Sequence, residues 1–178
     1  MTPDDILRFW FDDATKPKWF NGEAAFDAEI VARFEVVYEQ AAAGTLDDWA
    51  SEARPAVALV IVLDQFPRNM FRNSARAFAT DAKALGIAIQ AVDGGFDAHL
   101  SEDEKHFLYM PFMHAEDLAA QERGVALFAA LGDAYTLDYM KRHRDLIERF
   151  GRFPHRNAVL GRDSTAEEVS SGATGQGF

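Results

Sequence analysis

Apolar positions recur along this chain at helical spacing, and no stretch sustains the alternation of apolar and polar residues that marks a half-buried strand. Ile6, Leu7, Phe9, Trp10 and Phe11 form a dense apolar patch behind Thr2, Asp4 and Asp5, any of which can cap a first helix with Pro3 in its first turn. Residues 12–17 read as a loop. Phe26, Ile30, Phe34 and Val37 predict a long amphipathic helix from about Glu23 to Ala43, closed by Gly44 in the C′ place. Residues 56–63 are apolar on every side, which predicts a central helix beginning at Pro55. Periodicity alone also admits a buried strand there, but nothing else in the chain offers it a partner strand. Pro67 disfavours the helical region for Phe66, so this helix is expected to stop near Asp64 and Gln65.

Beyond it, Ser74 can cap a helix over residues 75–92, terminated at Asp93-Gly94-Gly95. Ser101 with Glu104 fits a capping box for a helix that Pro111 is expected to break or kink. A helix resumes through Leu118, Val125, Phe128 and Leu131. Another follows the stripe Tyr135, Tyr139, His143, Ile147 and Phe150 as far as Gly151. Ser164-Thr165 before Glu167-Glu168 predicts a last short helix. The pattern predicts an all-α domain of seven or eight helices in antiparallel pairs, one domain over residues 1–178. Residues 170–178, rich in Ser and Gly, read as a loosely held tail in which Phe178 is free to dock. No period of thirty-odd residues repeats cleanly.

Composition narrows the classes. A chain of 178 residues with 48% hydrophobic content and 15 Phe is long enough for one sizeable core. With no cysteine, disulfides and thiolate metal sites are excluded. The acidic start lacks a signal peptide's basic and apolar segments, and no apolar run approaches a membrane span, so a cytoplasmic location and no membrane partner are expected. The net charge of −11 argues against nucleic acid, since phosphate contacts need clustered cations. Its distribution is uneven: residues 1–53 and 97–133 carry −8 and −6, whereas 54–96 and 134–178 carry +2 and +1.

Those two basic segments each hold a Phe-Pro motif. The first is Leu63-Asp64-Gln65-Phe66-Pro67-Arg68-Asn69-Met70-Phe71-Arg72. The second is Arg149-Phe150-Gly151-Arg152-Phe153-Pro154-His155-Arg156-Asn157. P-loop, Gly-x-Ser-x-Gly and His-Glu-x-x-His patterns are missing. Three polar clusters remain: Asp64, Gln65, Arg68, Asn69 and Arg72; His114, Glu116, Asp117 and Gln121; Arg149, Arg152, His155, Arg156 and Asn157. One reading is structural, with Arg–carboxylate forks tying helix ends together. The other is a pocket in which arginines hold a small anion or a peptide carboxylate, with His114 or His155 able to act as acid or base. The expectation is that the two motifs meet, Arg68 and Arg152 facing one cavity with His114 or Glu116. The ligand spacing of His114-x-Glu116-Asp117 matches no established metal pattern, so neither a metal nor another cofactor is expected.

These stretches, with Phe9-Trp10-Phe11, His114-Ala115-Glu116-Asp117 and Leu160-Gly161-Arg162-Asp163-Ser164-Thr165 in the same order, resemble the bacterial domain-of-unknown-function family 924 from Ile6 to about Glu168. The resemblance implies an all-helical, tetratricopeptide-like fold of stacked helix pairs. It brings no activity, only motif positions. A binding module and a small enzyme built on the His, Glu and Arg residues both remain open, and the oligomeric state is not readable.

Overall fold

The computed structural model describes residues 1–175; Phe178 and the end of the expected tail lie outside them. The chain is all-helical, with no strand among the described residues. It divides into two compact units: residues 1–72 with 76–111, and residues 73–75 with those from 112 onward.

In the first unit, Thr2 caps α1 (Pro3–Trp10) through a capping box with Asp5. α2 (Ala24–Ala42) ends as predicted, with Gly44 at φ +86°. α3 (Ala53–Val60) is the central rod, and every residue from Ala56 to Leu63 has no solvent exposure. It packs against α1 and against α5 (Asp81–Asp93). Aromatic rings fill the space around it: Phe34 stacks on Phe66 at 4.7 Å, and Trp10 meets Phe66 and Phe107 edge-on at 5.6 and 5.4 Å.

The rod does not stop at Gln65. A π turn over Ile61–Gln65 leads directly into α4 (Phe66–Met70), and Phe66 is helical at φ −57°, ψ −42°. The expectation from Pro67 fails for a specific reason. Proline cannot return an N–H to the Leu63 carbonyl, but the Thr80 hydroxyl donates to that carbonyl instead. The wider turn keeps Ile61 O bonded to the Phe66 N–H, and Arg68 Nη1 serves Asp64 O at 2.5 Å. With its hydroxyl committed there, Thr80 flanks α5 without a side-chain cap bond. α5 therefore begins at Asp81, later than the Ser74 signal suggested, after a short 3₁₀ turn over Ala75–Phe78.

α6 (Glu102–His114) opens on the predicted Ser101–Glu104 box and runs through Pro111 unbroken. Leaving one helix bond unmade costs up to about 3 kcal/mol. Phe107 and Phe112 on either side are fully buried, at roughly 1.5–3 kcal/mol each, which outweighs it.

In the second unit, Asp117 caps α7 (Leu118–Leu131) through the Ala120 N–H, and Asp133 caps α8 (Ala134–Phe150). The two helices form a hairpin across Gly132, at φ +85°. A turn over Pro154–Arg156 follows. α9 (Ala166–Ser170) starts on a capping box between Thr165 and Glu168. Turns continue to Gly175, and Ala173 is buried among them.

Candidate functional site

Asp64 through Arg72 belong to the first unit, and His114, Glu116 and Arg149 through Asn157 to the second. In the first, the two arginines are closed by carboxylates of the chain itself. Arg68 makes a fork onto Asp81, with both bonds at 2.9 Å, and lies 3.2 Å from the buried Asp64. Gln65 donates to Asp64 at 2.5 Å. Arg72 makes a second fork onto Asp27 at 2.8 and 2.9 Å, and Asn69 adds a bond at 2.8 Å. Burial pushes the Asp27 carboxyl up, but the bonds from Arg72 and Asn69 outweigh it and leave it below its ordinary value. These residues brace the exit of the central rod. A surface recess of about 590 Å³ in this unit is lined by Asp4, Leu7, Arg8, Phe11, Asp12, Asp13, Arg54, Ser101 and Glu104, and by no residue of the motif.

The second unit gathers its motif residues round the end of α6. Three successive carbonyls there have no helical partner, and side chains reach them. Gln121 donates to Met113 O at 2.7 Å and to Ala115 O at 2.8 Å, and Arg156 donates to His114 O at 3.1 Å. Glu116 accepts the Phe153 N–H at 2.7 Å and the fork of Arg162 at 2.6 and 2.9 Å. Burial raises the Glu116 carboxyl, and those bonds bring it down past its ordinary value. Glu168 takes the fork of Arg152 at 2.7 and 2.9 Å and one bond from Asn157 at 3.1 Å, and its carboxyl is held down to about 2, chiefly by Arg152. Asn157 also accepts from Arg162 at 3.0 Å. Arg149 pairs with Glu167 on the exposed face.

Inside this frame sits a ring of cationic and imidazole groups around Phe153, itself fully buried. Arg156 lies over its face, 4.4 Å from the centroid. His143 meets it edge-on at 5.5 Å, and His155 is tilted against it at 5.6 Å. Arg156, His143 and His114 are buried; His155 is half-buried. Burial, and then the positive charge of Arg156, hold His155 down to about 4. Burial drives His143 to about 3, and His114, Arg156 and His155 add to it. Both imidazoles are therefore neutral at pH 7, and the single N–H of His143 is already given to Tyr139 O, 2.8 Å from Nδ1.

The carboxylate partners Asp27, Asp81 and Glu168 were not among the residues singled out from the sequence, and neither was Arg162 as a site residue. His143 was visible only as one position of an apolar stripe, which is the signal of a buried imidazole. Among the described residues, no three His, Asp or Glu side chains group as ligands for a metal ion. Glu116 and Asp117 serve Arg162 and the α7 cap.

The family described as "Bacterial protein of unknown function (DUF924)" matches residues 6–172, and the chain belongs to it. Among solved structures, a protein of unknown function from Agrobacterium tumefaciens is similar at 46% identity, with a TM-score of 0.89 over 95% of each chain. No curated protein matches. No helix among the described residues is long and apolar enough to cross a membrane.

Proposed function

We propose that this DUF924 member is a cytoplasmic helical binding module, tetratricopeptide-like in using a helix pair as its scaffold. On this reading it takes a small oxyanion, carboxylate or phosphate, at Arg156 and the imidazoles around Phe153. The reading rests on one observation. Arg152, Arg156 and Arg162 face two carboxylates, Glu116 and Glu168, and both oxygens of each carboxylate are already engaged. Of the three, Arg156 is the one whose guanidinium lies over the Phe153 ring, with Nη1 on the His114 carbonyl, and it stands beside the half-buried His155 in a chain of net charge −11. An oxyanion there gains charge-assisted bonds in a setting where water competes poorly. The forks of Arg68, Arg72 and Arg152 have the braces' part, and Arg156 the ligand's.

The test is a thermal-shift titration with phosphate, sulfate and acetate against chloride at constant ionic strength, and with short peptides bearing a free or an amidated C-terminus. At ten times Kd a specific anion stabilises by about 1.4 kcal/mol. For a domain of this size that is a rise of about 3–5 °C. Arg156→Lys keeps the charge and loses the planar fork, so the shift shrinks; its ligand-free melting point is read alongside, because the bond to His114 O and the contact over Phe153 change too. Equal shifts with chloride, or full shifts in Arg156→Lys, overturn the reading. A response only to free peptide C-termini identifies the anion as a chain end.

A further inference from the structure

We infer that Asn21 is a site of covalent modification: its side-chain amide is lost without an enzyme, through a succinimide closed by the Gly22 nitrogen, and the chain becomes aspartyl or isoaspartyl there. Asn21 belongs to the first unit and shares no residue with the anion-binding cluster. Two glycines in the chain follow an Asn or an Asp, in Asn21-Gly22 and in Asp93-Gly94. Both pairs are exposed, but their glycine nitrogens stand differently. The Gly94 N–H is committed to Gln90 O at 2.9 Å, and Gly94 is near-helical at φ −79°, ψ −2° behind α5. Attack on residue 93 would need the last turn of α5 to open. The Gly22 N–H makes no backbone hydrogen bond among the described residues, and Gly22 stands at φ +64° between the Lys16–Lys18 turn and α2.

A free amide nitrogen is the nucleophile that ring closure needs, and glycine has no Cβ to obstruct its approach. Little holds Asn21 itself. Its Nδ2 donates to Pro17 O at 2.6 Å and its backbone N–H to Lys18 O at 3.3 Å, and exposed bonds of this kind exchange with water at small net cost. Nearby charge favours the reaction. A Cβ on Gly22 would lie 3.9 Å from Arg72 Nη1, a nitrogen that takes no part in the fork on Asp27. That guanidinium stabilises the anionic form of the attacking nitrogen. The Gly22 nitrogen gives its proton to solvent and bonds to Asn21 Cγ, the Cγ–Nδ2 bond breaks, and the amide nitrogen leaves as ammonia. Water then opens the ring. Opening at Cγ gives aspartate; opening at the main-chain carbonyl gives isoaspartate, whose backbone runs through Cβ and is one methylene longer. Either product puts a new carboxylate beside Arg72, the arginine that braces the first Phe-Pro motif through Asp27.

The test is peptide mapping by mass spectrometry after the folded protein has been held at mildly alkaline pH, with a short digest at mildly acidic pH so that the digest adds no conversion. The peptide carrying Asn21 should gain the mass of an amide-to-acid exchange, with isoaspartate the larger product. Asn69 and Asn157, buried and bonded, should stay intact. Asp93→Asn gives the chain a second amide before glycine. In the folded protein that amide should be lost several times more slowly than the one at Asn21, and in urea sufficient to unfold the chain the two should react alike. An Asn21 that stays intact in the folded parent, under conditions that convert the unfolded chain, overturns the inference. So does equal conversion at positions 21 and 93 in the folded variant, since the free Gly22 nitrogen would then make no difference.

Discussion

Gly124 offers a sharp test of how α7 and α8 are held together. A Cβ at this position would lie 2.9 Å from both Cε and Sδ of Met140 on α8, and 3.0 Å from Cβ of Phe112. Two effects of opposite sign compete in Gly124→Ala. Helix propensity favours alanine by about 1 kcal/mol. Overpacking a filled core costs about 1–3 kcal/mol. Met140 is fully buried, so its flexible thioether end has little room to swing, and the Phe112 Cβ moves only with its backbone. Overpacking should win, for a net loss of up to about 2 kcal/mol. In a Met140→Ala background the obstacle is gone, and the same substitution should be neutral or stabilising. The assay is a double-mutant cycle in urea, read from the denaturation midpoints, with a coupling of about 1–3 kcal/mol expected. A stabilising Gly124→Ala in the parent, or the same cost in both backgrounds, would refute the packing argument. Met140 and His143 lie three residues apart on the buried side of α8, so this spacing also fixes where the imidazole stands.

Further outcomes follow from the same geometry. Thr80→Val removes the hydroxyl that donates to Leu63 O and should cost about 1–3 kcal/mol in urea denaturation, with Thr80→Ser close to the parent. Leu59→Ala should cost about 2–5 kcal/mol, and a midpoint near the parent's would mean the central rod is not the core. For pH, His143 and His155 are depressed in the folded state to about 3 and about 4, so between those values and about 6.5 the unfolded chain binds more protons. Stability should therefore fall as pH drops from 6.5 toward 4. Glu168, depressed to about 2, adds its own loss from about 4.5 downward. His143→Leu should flatten the slope between pH 6.5 and 4 in melts of the ligand-free protein, and an unchanged slope would count against the burial of that imidazole.

Helix type and order were legible because they depend on local spacing. The caps at Thr2, Gly44, Ser101 and Thr165 lie next to the turns they close. The all-round burial of Ala56 to Leu63 was legible for the same reason, since no face of that helix is polar. Continuation through Pro67 was not, because its compensation comes from Thr80, which lies 17 residues from Leu63 and looks like an ordinary loop threonine. Pro111 misled likewise, since local propensity cannot weigh the two buried phenylalanines beside it. The motif arginines announced themselves as site residues, yet their roles turned on Asp27, Asp81 and Glu168. Asp27 lies 45 residues from Arg72, and nothing in the local pattern ties the two together. Arg156 reads like its neighbours in sequence. Only the ring round Phe153 sets it apart.

The most direct test of the anion site uses the chain's own five histidines. His143 and His155 belong to the ring around Phe153 and His114 acts on His143, while His99 and His106 lie in the first unit and serve as internal controls. Imidazole resonances are followed by NMR during a phosphate titration at constant ionic strength. The account predicts saturable shifts at His143 and His155, with His114 following and His99 and His106 fixed, and loss of that response in Arg156→Lys. Five resonances that drift together without saturating, or none that move, would contradict it.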